Sequence, residues 1–201
     1  QLTGSGAGRS EYAISSFKNA NGFYTLYACF VTSSGALKGV HRSIDNGTNW
    51  CQIGPGATTG FAPFGDNTQG LYDCVIASHP TQDGCILGGI DLWKWTQTPG
   101  TSCDNGQWEI VSSWAASPTS PFYIHADNHR ITFNSQGRMY VGNDGGVQMA
   151  AIPNTTNGPY TVVNKGYNIT QFYGIAYGGY GEVMGGAQDN GTQFNDKSGI
   201  S

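Results

Sequence analysis

The chain has 201 residues, a net charge of −4, 31 glycines and only 11% charged residues, a usage far from the Glu/Lys/Ala/Leu-rich composition of helical proteins. Its nine Lys and Arg are scattered singly and offer no basic surface to a phosphate backbone, so nucleic acid is not an expected partner. No apolar run reaches ~18 residues, so no membrane span is expected, and a content of 38% hydrophobic and 12% aromatic residues separates the chain from disordered polymers. The expected class is all-β.

Taken in chain order, four short apolar strands are expected at 11–17, 25–31, 37–42 and 49–53. A second set follows at 71–78, 85–88, 92–96 and 107–111, and a third at 130–134, 140–143, 146–151 and 160–164. A strand at 172–177 and its partner running to Asp189 begin a fourth set. Three segments share one template, an apolar strand running through Gly or Asn into an Asp: ILGGID at 86–91, YVGND at 140–144 and MGGAQD at 184–189. Tight turns at 79–84, 135–137 and 178–181 join each to the strand before it, as in a hairpin.

A repeat of roughly 40–55 residues built from four strands is the signature of a β-propeller. The expected blades are 11–53, 71–111, 125–164 and the first half of a blade at 171–201, about three and a half four-stranded antiparallel blades in all. A closed ring takes about four to eight blades. The chain is therefore expected to be a fragment of a longer polypeptide, with the remaining blades as its partners.

Between the third and fourth strands of the first set stands SIDNGTNW at 43–50. Asp45 can accept from backbone N–H groups of its own turn, Gly47 can take positive φ, and Trp50 can pack back under the hairpin. With Ser43, these residues match the pattern Ser-x-Asp-x-Gly-x-x-Trp. That motif resembles the Asp-box, the bacterial neuraminidase repeat. HADNHRITF at 125–133, RMYVGNDGGV at 138–147, and QFYGI at 171–175 leading to GGAQDNGT at 185–192 extend the likeness over most of the chain. Together they resemble the Asp-box propellers of large secreted bacterial surface proteins and, more distantly, sortilin-like and xyloglucanase-type propellers. The resemblance implies that the box is a structural staple on the face away from any active site, and it implies a fold more than a reaction.

If the first strand of each blade runs downward from the top, the turns bearing Asp91, Asp144 and Asp189 return to the top face near the central axis. The long connections 54–70 and 112–124 lie there too and carry Phe61, Phe64, Trp114, Phe122 and Tyr123. Aromatic rings beside carboxylates suit sugars, which makes Asp91, Asp144, Asp189, Trp114, Phe122 and Tyr123 the expected ligand-binding set. Glycoside hydrolysis needs two carboxylates about 5–9.5 Å apart, for which Asp144 and Asp189 are the best pair. The xyloglucanase resemblance implies a catalytic Asp in such an Asp-Gly-Gly turn, although tight turns favour Asp-Gly on conformational grounds alone. The sialidase arginine triad is not evident among Arg9, Arg42, Arg130 and Arg138.

His125, Asp127 and His129 alternate, so on a strand they share one face and have the ligand types of a divalent metal site. Ile131 and Phe133 continue that face into the core, which favours a hydrogen-bonded network over a metal. Five cysteines and the turn-rich composition fit an extracellular or cell-surface setting. Cys85 and Cys103 fall at the bottom of one blade and form the expected disulfide, leaving an odd thiol. Glycosylation sequons stand at Asn46, Asn154, Asn168 and Asn190; they matter only in a eukaryotic secretory pathway. The expected function is a secreted or cell-surface module, non-catalytic and without a cofactor, that binds glycan or protein or forms a structural part of a surface assembly. The alternative is a glycoside hydrolase of xyloglucanase or sialidase type with the rest of its active site in further blades.

Overall fold

The computed structural model describes residues 2, 6–56, 59–65, 68–98, 102–150, 158–166 and 170–196. The first sheet is β1 (Ala7–Lys18), β2 (Tyr24–Thr32), β3 (Leu37–Ser43) and β4 (Cys51–Gly54). The second is β5 (Val75–Ser78), β6 (Gly84–Gly88), β7 (Leu92–Gln97) and β8 (Gly106–Ile110). The third is β9 (Asn128–Phe133), β10 (Met139–Asn143), β11 (Gly146–Ala150) and β12 (Tyr160–Val162). The fourth is β13 (Phe172–Tyr177), β14 (Val183–Ala187) and β15 (Thr192–Asn195). Every sheet is an antiparallel meander with its strands in sequence order.

The period of two explains how these meanders stack. In β6 every residue is buried, yet neighbours along the strand serve different cores. Cys85 and Leu87 join Tyr27, Val31, Val40, Ile76, Trp93 and Trp95 between the first and second sheets. Ile86 joins Val75, Leu92, Ile131, Met139 and Val141 between the second and third. The second sheet is thus sandwiched face to face, and its innermost strand β5 packs against both β1 and β9. First strands side by side around an axis, with sheets stacked face to face, make consecutive blades of a β-propeller. Across the first interface Trp95 lies opposite both Cys85 and Trp108 in the ladder, and a side chain at Gly106 would run into its ring. Trp108 Nε1 donates to Ile53 O at 2.7 Å, tying the outer strands of both sheets.

The expected disulfide is corrected: Cys103 bonds Cys51, not Cys85. Cys51 opens β4, the outermost strand of the first sheet, and faces the β7–β8 loop of the second, with a Cα–Cα separation of 6.1 Å. Cys85 lies deep in the first core, where Cys29, Cys74 and Cys85 are buried free thiols. Two further differences are local. Residues 69–71 form a short 3-10 turn, so β5 starts only at Val75. The fourth sheet has a third strand, β15, that the apolar pattern does not announce, because its residues are mostly polar.

Candidate functional site

The turn at 43–50 closes on itself. Ser43 Oγ donates to Asp45 Oδ1 at 2.8 Å and accepts from Gly47 N–H at 2.9 Å. Asn49 donates its backbone N–H to Asp45 Oδ1 and its side-chain amide to Oδ2, at 2.8 and 2.7 Å. The Asn49 backbone bond, then Ser43, holds the Asp45 carboxyl below the usual carboxylate range. Gly47 takes φ +89°, and Trp50 Nε1 donates to Gly47 O at 2.9 Å. Trp50 is half-buried, not enclosed. The turn lies at the end of its sheet opposite the β2–β3 turn.

At the other end the meander carries the β6–β7, β10–β11 and β14–β15 turns to one side, and here the three expected carboxylates part company. Asp91 turns into its own loop, where its Oδ1 accepts from Trp114 N–H at 2.8 Å and from Ser112 Oγ at 3.2 Å. Burial pushes its carboxyl up and these bonds oppose the shift. Asp144 and Asp189 instead meet Asp127, with one carboxylate oxygen of each within 4.8 Å of the others.

Asp144 is the most engaged of this cluster. His129 Nε2 lies 2.7 Å from its Oδ1, and Tyr72 Oη donates to its Oδ2 at 3.0 Å. The rings of Tyr72 and His129 meet edge to face at 4.8 Å. Burial, then the bond to Asp144, pushes the Tyr72 hydroxyl up to about 12. Asn190 Nδ2 donates to Asp144 O at 2.9 Å, and His125 Nε2 lies 3.2 Å from Asp189 O. These contacts join the third sheet to the fourth.

His125, Asp127 and His129 do not alternate along a strand as expected. β9 begins at Asn128, and Asp127 sits just before it in the left-handed region at φ +63°. That twist sends His129 to Asp144 and leaves His125 on backbone carbonyls, Ala126 O at 3.2 Å from Nδ1 as well as Asp189 O. Burial, then the Asp144 charge, pushes the Asp127 carboxyl up.

Behind the cluster lies Asp73, absent from the sequence-derived site. It is fully buried, no N–H or hydroxyl of another described residue donates to either of its carboxylate oxygens, and its carboxyl meets that of Asp127. Burial, then the Asp127 charge, pushes it up to about 7. Arg9 is the nearest compensating charge, but its guanidinium is spent on Glu11 and the carbonyls of Leu71, Tyr72 and Cys74. The signal for Asp73 was its place: like Asp127, it stands where the chain enters the first strand of a blade.

Of the expected aromatic set, Trp114 is 52% exposed beside Asp91, whereas Phe122 and Tyr123 are half-buried. Tyr72, not anticipated, is 46% exposed beside Asp144. Phe64 is buried and Phe61 stacks on Trp108 at 4.5 Å, so both belong to the core. A groove of about 620 Å³ lies along the inner strands at the opposite end, lined by Ile14, Ser78, Pro80, Ile131 and Phe133. Asn46 and Asn190 are engaged through their side chains, Asn46 Oδ1 accepting from Tyr24 N–H at 2.8 Å; Asn154 and Asn168 lie outside the described residues. No helix among the described residues is long and apolar enough to cross a membrane.

No family model matches the sequence, and no curated protein does. Among solved structures the chain is similar to one of YCF48 bound to D1 peptide, with 9% identity and a TM-score of 0.40 over 95% of this chain. The chain spans about half of that protein, 52% of its length.

Proposed function

We propose that the chain is part of a non-catalytic propeller of a secreted or cell-surface protein, and that the face bearing Asp91 and Asp144 binds glycan. The observation that carries this reading is the state of the carboxylates. Asp127, Asp144 and Asp189 crowd with one oxygen of each within 4.8 Å of the others, and Asp144 is held by His129 and Tyr72, so these acids form one bonded cluster and not two separate carboxyls facing each other across a cleft. Asp91 is occupied by its own loop. What this face offers outward is the exposed aromatic planes of Trp114 and Tyr72, which suit stacking against sugar rings. The disulfide Cys51–Cys103 supports an oxidising compartment.

The test is binding of the full chain to an array of immobilised glycans that includes xyloglucan oligosaccharides and sialylated glycans. Trp114→Ala is expected to lower affinity by about tenfold, which is about 1.4 kcal/mol, while Asn49→Ala at the opposite end leaves it unchanged. Binding to none of the glycans, or binding indifferent to Trp114, would refute the proposal.

A further inference from the structure

We infer that Asp127, Asp144 and Asp189, backed by Asp73, form a site for one hard divalent cation of the calcium type, pinning the β14–β15 turn of the fourth blade onto the third. Three acidic side chains with oxygens within 4.8 Å of one another repel unless something positive stands among them. Among the described residues the Lys and Arg ion pairs are Arg9–Glu11, Arg42–Asp83 and Lys94–Glu109, and none reaches this cluster. The groups that bond these carboxylates, His129 and the Tyr72 hydroxyl, both meet Asp144.

The independent pointer is Asp73. A carboxyl that is 0% exposed and receives no hydrogen bond from an N–H or hydroxyl of another described residue is costly to bury and is rarely left so. It meets Asp127, one of the three clustered carboxylates, so a cation held by Asp127 would also offset the buried Asp73 charge. An all-carboxylate set selects a hard, oxygen-loving cation, and calcium tolerates the irregular geometry that three carboxylates from separate loops and turns provide. His129 and Tyr72 would then act from outside, bonding Asp144 and orienting it.

The location gives the cation its role. Asp73 and Asp127 lead into the first strands of the second and third blades, Asp144 is in the β10–β11 turn, and Asp189 is in the β14–β15 turn. The β14–β15 turn meets the β10–β11 turn through Asn190 on Asp144 O, and the segment ahead of β9 through His125 on Asp189 O. The fourth sheet otherwise shows an exposed β13, and β13 has no extensive packing against β9 of the kind β5 has. One ion would join three blades at the axis.

The experiment uses the full chain, stripped with EGTA and then titrated with CaCl2 by calorimetry and with Tb³⁺ by luminescence excited through tyrosine. Tyr72, bonded to Asp144, is placed to sensitise a lanthanide there. We expect one saturable calcium per chain, a Tb³⁺ signal that calcium displaces, and a melting temperature that rises with calcium. Asp127→Asn/Asp189→Asn should lose at least about 100-fold in calcium affinity, and its metal-free form should melt no lower than wild type, because the change removes repulsion. Asp91→Asn should bind as wild type does. An absence of calcium binding up to millimolar concentration would overturn the inference. So would binding that survives in the double variant.

Discussion

Arg42 of the first sheet and Asp83 of the second form an ion pair across the interface between two blades, with the guanidinium 5.2 Å from the centre of the Trp95 ring. Arg42 is 3% exposed and also donates to Gln97 Oε1 and Cys103 O, while Tyr27 Oη donates to Asp83 Oδ1 at 2.7 Å. Removing one partner of such a pair leaves a buried charge uncompensated. Asp83→Ala is expected to destabilise by about 2–3 kcal/mol, below the range for a fully enclosed pair because Asp83 keeps contact with solvent. Urea unfolding measures it, and a loss under about 0.5 kcal/mol would show that water replaces the carboxylate.

Beside that pair the Cys51–Cys103 bridge closes a loop of 52 residues. The chain-entropy relation for a loop of this length gives a ceiling of about 4 kcal/mol. Cys51→Ala/Cys103→Ala should therefore lower stability by up to that amount, while Cys85→Ala should leave the bridge intact. Peptide mapping without reductant checks the pairing directly: a peptide pair containing Cys85 and Cys103 would restore the arrangement expected from the sequence.

The contrast between those two pairings shows what the sequence makes legible. Strand positions and the blade repeat follow from local rules, alternation along β10 and turn residues such as Gly137 and Gly181, so three sheets are legible in the sequence. The Asp45 turn was readable for the same reason, because every partner of Asp45 lies within four residues. Contacts between blades follow no local rule. Cys51 meets Cys103, and Asp73 meets Asp127, only because separate sheets stack around an axis. The positive φ of Asp127 was hidden for a different reason: alternation assumes a strand, and one residue in the left-handed region ahead of Asn128 redirects both flanking histidines.

Asp45→Ala separates staple from site. Its bonds hold the turn at the end opposite Asp144. The variant should melt at a lower temperature and keep full affinity on the glycan-binding face. Normal melting with weakened binding would move the functional face to the Asp45 end.

His79 supplies a pH dependence. Its ring is buried at the β5–β6 turn with Nδ1 accepting from Thr81 N–H, and Nε2 has no partner among the described residues. Burial, then the nearby Lys94 charge, pushes its pKa from 6.5 down to about 4. The unfolded chain thus binds more protons than the folded one between these values, so stability from this group is full above about pH 6.5 and is lost as pH falls toward 4. Asp73 has the opposite sign in an overlapping window, so the difference between wild type and His79→Gln isolates the effect. That difference should shrink by roughly 3 kcal/mol from pH 7 to pH 4, at about 1.4 kcal/mol per pKa unit. A difference that does not change with pH would mean that His79 is hydrated when folded.

The central claim is that the acidic, aromatic face binds sugar without cleaving it. It is tested most directly by incubating the full chain with the glycans it retains on an array and counting new reducing ends in the same samples. Binding with no release above the level of the Asp144→Asn variant is the predicted result. Release of reducing ends that Asp144→Asn or Asp189→Asn abolishes, in a protein that still folds, would contradict it and make these carboxylates catalytic.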